Sequence, residues 1–300
     1  MTLSDELNLP KSRLPGRDIS IRREDLELAD GYRTNLYRFV PPQGRSGLPV
    51  VYLHGIQSHP GWFVGSCERL ARNGREVFAV TRRGSGANSE RRGHAPSGDV
   101  LLRDVDRAVD FTKERTGCER AHLLGVSWGG KLAAAYACRQ DRAERLASLV
   151  LVAPGIAPQV GVSPGVKLRI AASLLFSPER RFEIPLSDVE LFTGNQRMKQ
   201  FIRSDQRSLR RATARFLYAS RKLDRYLRSR PRGAIHTETT LILADGDRIV
   251  DNRRTREQVE RLTDGRGVVV ELPGAHTLEF EPDTSPLYEA LDAAVVRGGR

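Results

Sequence analysis

The chain has few cysteines and no long apolar run. Its three cysteines, Cys67, Cys118 and Cys138, are widely spaced, with no C-x-x-C pair and no cluster of histidines beside them. We therefore expect ordinary thiols rather than a disulfide framework or a zinc site. No apolar segment approaches the roughly 18 to 20 residues needed to span a bilayer, and residues 1–20 are polar, unlike a signal peptide. These absences predict a soluble, cytoplasmic protein.

The length and composition favour one large domain. A chain of 300 residues with 39% hydrophobic content can bury a single extensive core. One catalytic domain that carries an insertion fits this size better than two equal domains.

The positive charge is concentrated in one part of the chain. The net charge is +12, and residues 155–235 contain 17 Lys and Arg against 6 Asp and Glu. The remainder is therefore close to neutral. Because no nucleic-acid-reading motif accompanies this charge, we expect no nucleic-acid partner. The basic surface either forms a solvated face or makes weak peripheral contact with an anionic membrane.

The apolar pattern predicts a mixed sheet. Alternating residues on both sides of Asp30 and Gly31 predict an antiparallel hairpin with a primed turn. Short apolar runs then alternate with helical patterns, the rhythm of a doubly wound α/β fold with buried parallel strands. The predicted strands are 19–28, 34–40, 50–53, 77–81, 121–126, 149–152, 240–244 and 268–272, and the predicted helices are about 62–73, 98–116, 129–140, 253–262 and 285–296.

One connection is too long to be a simple loop. Almost ninety residues separate the sixth predicted strand from the seventh, so this stretch needs structure of its own. We predict a helical, strongly basic cap, called the cap segment below, at residues 155–235, between core parts at 1–154 and 236–300. Apolar positions predict two helical faces within it: one of Val166, Ile170, Leu174 and Leu175, and another of Leu209, Ala212, Phe216, Leu223 and Leu227.

The strongest chemical motif is the sequence GVSWGG at residues 125–130, which follows a predicted strand and opens a predicted helix. A G-x-S-x-G motif in this context places its serine on a sharp turn, where the glycines relieve crowding. The hydroxyl of Ser127 then projects above the sheet, and the N-terminus of the helix faces a developing oxyanion. We predict Ser127 as a nucleophile rather than part of a purely structural turn.

A serine nucleophile needs a general base, and six histidines are available. His276 follows the last predicted strand, at the carboxyl edge where α/β sites form. His54 is expected to shape a loop, and His122 to pack inside a strand. The others are in loops or the cap segment: His59, His94 and His236.

The acid that orients the base should follow the strand before the histidine strand, and three aspartates do so. Asp247 is preferred. Asp245 lies nearest the strand end, and Asp251 is suited to cap the next helix. The order Ser127, Asp247, His276 is the one expected for this type of triad.

The oxyanion hole requires the N–H after the nucleophile and another from the loop after the third strand. These are the N–H of Trp128 and that of Ile56 or Gln57. Gln57 is also a candidate for orienting the substrate or the loop.

At this point the chain resembles the α/β-hydrolase superfamily, and within it the branch of monoacylglycerol lipases and lysophospholipases that grades into serine aminopeptidases. The resemblance rests on YLHG at 52–55, RRGSG at 82–86, the serine motif, LADGDRIVDN at 243–252 and GAHTL at 274–278. The loop at 55–59 departs from it, since the lipase branch usually has a second glycine and an acidic residue there.

The resemblance implies an α/β-hydrolase fold, a mostly parallel doubly wound sheet with a helical cap inserted after the sixth strand. It also implies ester hydrolysis through an acyl-enzyme without metal or other cofactor. The catalytic triad would be Ser127, Asp247 and His276, with Ile56 and Trp128 in the oxyanion hole. The expected partner is a small acyl ester, with a lipid-like ester as one candidate. The alternatives are an acyltransferase, an amide or thioester hydrolase, and a non-catalytic binding protein.

Overall fold

The computed structural model describes residues 19–298, so most of the polar stretch 1–20 lies outside the described residues. Its centre is an eight-stranded sheet in the order β1-β2-β4-β3-β5-β6-β9-β10. The strands of this sheet are β1 (Ser20–Glu27), β2 (Arg33–Val40), β3 (Val50–Leu53), β4 (Val77–Val80), β5 (Ala121–Val126), β6 (Leu146–Val152), β9 (Thr239–Ala244) and β10 (Val268–Leu272).

Strand directions agree with the predicted mixed sheet. β2 pairs antiparallel with both β1 and β4, and every other pair of neighbouring strands in this sheet is parallel. The central strands β3 to β6 and β9 consist mainly of Val, Leu, Ile and Ala and are buried along their whole length, as parallel strands covered on both faces must be. The predicted α/β fold class is confirmed.

The first hairpin has a different turn from the predicted one. Gly31 donates to the carbonyl of Leu28 (2.9 Å), and Leu28 donates to that of Tyr32. Gly31 has a φ of 78°, and Asp30 is not among the positive-φ residues. A primed two-residue turn needs positive φ at its first central residue, so that prediction was wrong. The loop is a type I turn followed by a left-handed glycine.

Helices cover both faces of the sheet, close to the predicted positions. The helix Gly98–Thr116 shows why the boundaries could be predicted from the sequence. Ser97 caps its first turn by accepting a hydrogen bond from the N–H of Val100, and Gly117, with a φ of 68°, ends it. The helices outside the cap segment are α1 (Val64–Arg72), α2 (Gly98–Thr116), α3 (Trp128–Ala137), α4 (Gln140–Ala143), α8 (Asn252–Thr263) and α9 (Ser285–Arg297).

β10 corrects one expectation about burial. It was predicted as a buried strand, but it forms the edge of the sheet and all five of its residues are exposed or half-buried. An edge strand has a neighbour on one side only, and the apolar run VVV at 268–270 does not reveal this.

The cap segment connects β6 to β9 and is more varied than predicted. Both predicted helices are present, but a third helix and a two-stranded antiparallel sheet accompany them. Its elements are α5 (Pro164–Phe176), β7 (Arg181–Glu183), α6 (Gln196–Ser204), β8 (Arg211–Thr213) and α7 (Ala214–Ser229).

The two apolar faces predicted in the cap segment differ in how far they are buried. Phe216, Leu223 and Leu227 are buried on α7, although Leu209 and Ala212 precede that helix rather than belong to it. On α5, Leu175 is 79% exposed and does not share a buried face with the half-buried positions of the helix. α5 packs mainly against α7, and its apolar side chains Leu168, Leu175 and Phe176 are exposed. Among the described helices, none combines the length and the apolar character required to cross a membrane.

Candidate active site

Ser127 occupies the sharp turn between β5 and α3. Its φ of 55° and ψ of −121° lie outside the regions that a residue with a side chain ordinarily adopts. The neighbouring glycines are required by close backbone approach. A Cβ on Gly129 would lie 2.4 Å from the carbonyl oxygen of Leu53, and one on Gly125 would lie 2.5 Å from that of Gly129. The turn therefore presents the serine at the carboxyl edge of the sheet, as the motif predicted.

Three predicted side chains meet at this edge in a continuous hydrogen-bonded chain. The Nε2 atom of His276 lies 2.8 Å from the Oγ atom of Ser127. The Nδ1 atom of the same imidazole lies 2.7 Å from the Oδ2 atom of Asp247. His276 and the Asp247 carboxylate are buried. Serine, histidine and aspartate thus stand in the order that proton transfer from the hydroxyl requires.

Asp247 is held by the backbone as well. Its Oδ1 atom accepts hydrogen bonds from the N–H groups of Ile249 (2.8 Å) and Val250 (2.9 Å). One carboxylate oxygen therefore anchors the side chain to its own loop, and the other remains for His276.

The two alternative aspartates have other contacts. Asp245 accepts a hydrogen bond from the N–H of Gly274 (2.9 Å). Asp251 caps α8 by accepting from the N–H of Arg254 (2.9 Å), as expected for a residue that precedes a helix. Neither contacts His276 in the described part of the chain.

The remaining histidines have local contacts. His54 holds the loop after β3, with its Nδ1 atom 2.8 Å from the carbonyl oxygen of Gly55, and burial, more than the charge of Arg82, lowers its pKa well below the usual value. The buried His122 bonds Ser148, His59 bonds Asp205, and His94 lies near Thr213, whereas His236 is exposed.

The predicted oxyanion-hole residues lie next to Ser127. A Cβ on Gly55 would be 3.2 Å from the Cβ of Ser127, so the loop after β3 runs directly past this serine. Trp128 is the first residue of α3, where the backbone N–H has no partner within the helix. Within residues 19–298, the N–H groups of Ile56 and Gln57 donate to no backbone carbonyl. Gln57 is buried, and its side-chain oxygen has no partner among the described residues.

Two aromatic residues of the cap segment contact the site, and the sequence analysis assigned neither of them a position there. The ring of Phe192 packs edge-on against His276, with 6.4 Å between centroids, and Phe216 stacks on Trp128 at 5.3 Å. No local pattern marks Phe192, because it follows a single turn of 3₁₀ helix in an irregular stretch.

No group of three or more His, Cys, Asp and Glu side chains within residues 19–298 is arranged to hold a metal ion.

Comparison with known proteins finds similar sequences and similar folds. The chain is 24% identical over 248 residues to phospholipase YtpA of Bacillus subtilis, an alignment that spans 81% of this chain and 93% of that protein. The fold is similar to that of a monoacylglycerol lipase from Paleococcus ferrophilus (TM-score 0.73, 21% identity, 88% of this chain and 99% of that one). It is also similar to a soluble variant of the Saccharomyces cerevisiae monoglyceride lipase (TM-score 0.79, 16% identity, 96% and 98%).

A family model described as serine aminopeptidase, S33, matches residues 47–283, from just before β3 to beyond His276. That range contains the serine motif, the cap segment and the residues brought together at the sheet edge. The chain therefore belongs to the serine aminopeptidase S33 family of α/β-hydrolases.

Proposed function

We propose that the protein is a serine hydrolase that cleaves a carboxylic ester through an acyl-enzyme on Ser127. The observation that carries the proposal is the hydrogen-bonded chain from Ser127 through His276 to Asp247. A serine hydroxyl is a weak nucleophile by itself, and this arrangement supplies the base and its orienting carboxylate.

In the first half-reaction, His276 accepts the Ser127 proton through Nε2 while Oγ forms a bond to the ester carbonyl carbon. The π electrons of the carbonyl move onto its oxygen, and Asp247 stabilises the imidazolium. When the tetrahedral intermediate collapses, the bond to the alcohol oxygen breaks and His276 gives its proton to that alcohol. In the second half-reaction, water takes the place of the alcohol, and the acid leaves with Ser127 restored.

The oxyanion would be held by backbone N–H groups from two places. Trp128 contributes the N–H at the start of α3, where the helix dipole adds favourable charge. Ile56, or Gln57, contributes an N–H from the loop after β3, where neither has a backbone acceptor within residues 19–298. The side-chain carbonyl of Gln57 is buried and has no partner within residues 19–298, so it is suited to accept a hydrogen bond from a substrate hydroxyl.

A lipid-like acyl substrate is supported by the cap segment, which we propose covers the site. A groove of about 450 Å³ lies between α5 and α7, and its apolar walls include Ile170, Leu174 and Leu217. Ser220 also borders this groove and accepts a hydrogen bond from the Trp128 indole (2.9 Å). The groove therefore lies one side chain away from the residue that follows the nucleophile, which makes it suitable for an acyl chain.

The exposed side of α5 supports weak peripheral contact with an anionic membrane. Leu168 (72% exposed), Leu175 and Phe176 (86%) project from it, and Lys167 and Arg169 are exposed on the same helix. Apolar side chains beside basic ones are typical of segments that bind the surface of an anionic bilayer.

This contact is tested with vesicles of phosphatidylcholine and phosphatidylglycerol at low and moderate salt. We expect salt-sensitive binding that is lost in Leu175→Ser/Phe176→Ser. That variant should unfold at nearly the native temperature, because both side chains are exposed in the native state. Absence of binding at low salt would contradict the membrane contact.

The test of the proposed function is labelling with a fluorophosphonate probe, followed by hydrolysis of p-nitrophenyl esters of increasing acyl length. We expect labelling of the native chain and none in Ser127→Ala or His276→Ala. Ser163→Ala is the matched serine control, because Ser163 only caps α5 in the cap segment. A folded native chain that is neither labelled nor active would instead favour a non-catalytic binding protein.

The same assay separates the related chemistries. Thioester and aminoacyl amide substrates are compared with esters at equal acyl length, and an added alcohol acceptor reveals acyl transfer by formation of a new ester. Preferential cleavage of amides, or transfer that outpaces hydrolysis, would contradict the ester-hydrolase proposal and leave the nucleophile unchanged.

A further inference from the structure

Arg82 lies just beyond the end of β4 and reaches the loop that follows β3. Its Nη1 atom donates to the carbonyl oxygen of Gly55 (3.1 Å) and its Nη2 atom to that of Ile56 (2.8 Å). A further, longer contact reaches Ser85 Oγ (3.3 Å). The residue is only 7% exposed, so these contacts form away from bulk solvent.

The charge of this guanidinium is not balanced by a carboxylate. Within residues 19–298 it has no ion pair, and its remaining contacts are the faces of Trp128 (4.7 Å to the ring centroid) and Phe216 (5.3 Å). Burial, and to a smaller extent the charge of Arg92, lowers the pKa of Arg82 to about 9, so it is still charged at neutral pH. Burying a charge without a counterion is costly, and carbonyl dipoles and aromatic faces offset that cost only in part.

The neighbouring Arg83 shows the ordinary arrangement. It is equally buried but pairs with Asp104 (2.5 Å) and Asp30 (2.9 Å), which neutralise it. Two adjacent arginines of the same motif thus have different partners. One is bound to carboxylates, and the other is bound to the backbone beside the nucleophile.

The two carbonyls that Arg82 binds belong to the peptide units whose N–H groups are the candidate oxyanion donors. In a trans peptide the carbonyl and the N–H point in opposite directions. The Gly55 carbonyl shares its peptide with the Ile56 N–H, and the Ile56 carbonyl shares its peptide with the Gln57 N–H. A donor that fixes both carbonyls on one side therefore fixes both N–H groups on the other. Its positive charge also polarises each amide, which makes the N–H a stronger donor.

We propose that Arg82 is a positioning residue for the oxyanion hole: it orients and polarises the Gly55–Ile56 and Ile56–Gln57 peptides so that their N–H groups stabilise the developing oxyanion. The role rests on the proposed serine-hydrolase function. It requires a planar group with several donors, because one side chain must bind two carbonyls at once.

The variants are chosen to separate this role from packing. Arg82→Met retains length and contact with the aromatic rings but removes the charge and the donors. Arg82→Lys retains the charge but not the planar fork. Arg83→Lys is the matched control, because it alters an equally buried arginine of the same motif that does not touch the loop.

The experiment measures kcat and KM for a p-nitrophenyl ester, together with the Kd of a trifluoromethyl ketone that forms an oxyanion on Ser127. Removal of one oxyanion donor costs about 10²- to 10³-fold in kcat in other enzymes. We expect Arg82→Met to lower kcat by about 10- to 100-fold with little change in KM, and to weaken the ketone by a similar factor. Arg82→Lys should have a kcat and a ketone Kd between those of the native chain and of Arg82→Met. Arg83→Lys should keep the native kcat.

The outcomes distinguish this proposal from the function on which it rests. An active native enzyme whose Arg82→Met variant keeps the native kcat and ketone affinity overturns the positioning role alone. A native chain that is neither active nor labelled overturns both. Should Arg82→Met fail to fold, Arg82→Lys provides the same comparison, and parallel losses of kcat and ketone affinity without a change in KM support the role.

Discussion

The two carboxylate oxygens of Asp247 have different partners, since Oδ1 binds two backbone N–H groups and Oδ2 binds His276. We propose that the second contact orients the imidazole. An asparagine with its oxygen on the backbone N–H groups would present an NH₂ group to His276 and favour the wrong imidazole tautomer. We expect Asp247→Asn to lower kcat on the order of 10³- to 10⁴-fold, as loss of the orienting acid does elsewhere. The measurement is ester hydrolysis with the burst phase titrated to count active sites.

Asp245→Asn is the control that separates Asp247 from Asp245, one of the two other aspartates that the sequence offers. An asparagine there retains an oxygen for the Gly274 N–H, so kcat should fall less than about 10-fold. The reverse ranking of the two variants would assign the orienting role to Asp245.

Gly129 provides a steric prediction at the same scale. A methyl group there would lie 2.4 Å from the Leu53 carbonyl oxygen and 2.5 Å from that of His54, and backbone atoms cannot move aside easily. We expect Gly129→Ala to lower the free energy of unfolding by about 1–3 kcal/mol, or to prevent folding. Gly161→Ala, with nothing within 4 Å of the added carbon, should remain within about 0.5 kcal/mol of native. Urea denaturation measures the free energy of unfolding of both variants. Equal stabilities would contradict the close packing of Gly129 at the turn between β5 and α3.

At the scale of elements, Asp205 of the cap segment binds two residues in the stretch that immediately precedes α1. Its Oδ2 atom accepts from His59 Nε2 (3.1 Å), Trp62 Nε1 (2.7 Å) and Ser208 Oγ (2.8 Å). Burial alone would raise the pKa of Asp205. Its hydrogen-bond partners, His59 foremost, lower the pKa by more than burial raises it, so the pKa lies well below the usual value. The carboxylate is therefore more stable in the folded state than in the unfolded chain.

This shift predicts the pH dependence of stability. A depressed folded pKa contributes stability above the unfolded value of about 3.9, and that contribution is lost as the pH falls towards the folded value. We expect Asp205→Asn to cost about 1–3 kcal/mol near neutral pH, with the difference from native shrinking below about pH 4. Thermal unfolding from pH 3 to pH 7 measures it, with the exposed Asp188→Asn as control. A difference that grows towards low pH would contradict the assignment.

At the scale of the whole molecule, both tryptophans of the chain lie where the cap segment meets the core. Trp62 contacts Phe192, Phe201 and Asp205, and Trp128 contacts Phe216 and Ser220. Tryptophan fluorescence therefore reports docking of the cap segment, whereas far-ultraviolet circular dichroism reports mainly the helices and the sheet.

Because these contacts are buried, we expect the two signals to change together in urea, in one cooperative transition. A fluorescence change at a lower urea concentration than the loss of helix would instead show that the cap segment undocks before the core unfolds. If the contacts of Asp205 hold the cap segment in place, Asp205→Asn should shift the fluorescence change to a lower urea concentration before it shifts the loss of helix.

The sequence by itself determined the order along the chain of the eight strands of the main sheet, the class of fold and the three residues proposed as a triad. Short apolar runs, glycines and capping residues act locally, and the positions of Ser127, Asp247 and His276 after successive strands place them at one sheet edge. Only the tertiary structure decided that β10 lies at an edge, that part of the apolar surface of α5 is exposed, and that Arg82 rather than Arg83 binds the loop beside Ser127. These outcomes depend on which surfaces remain uncovered and which partners lie far apart in the chain, and local periodicity carries no information about either.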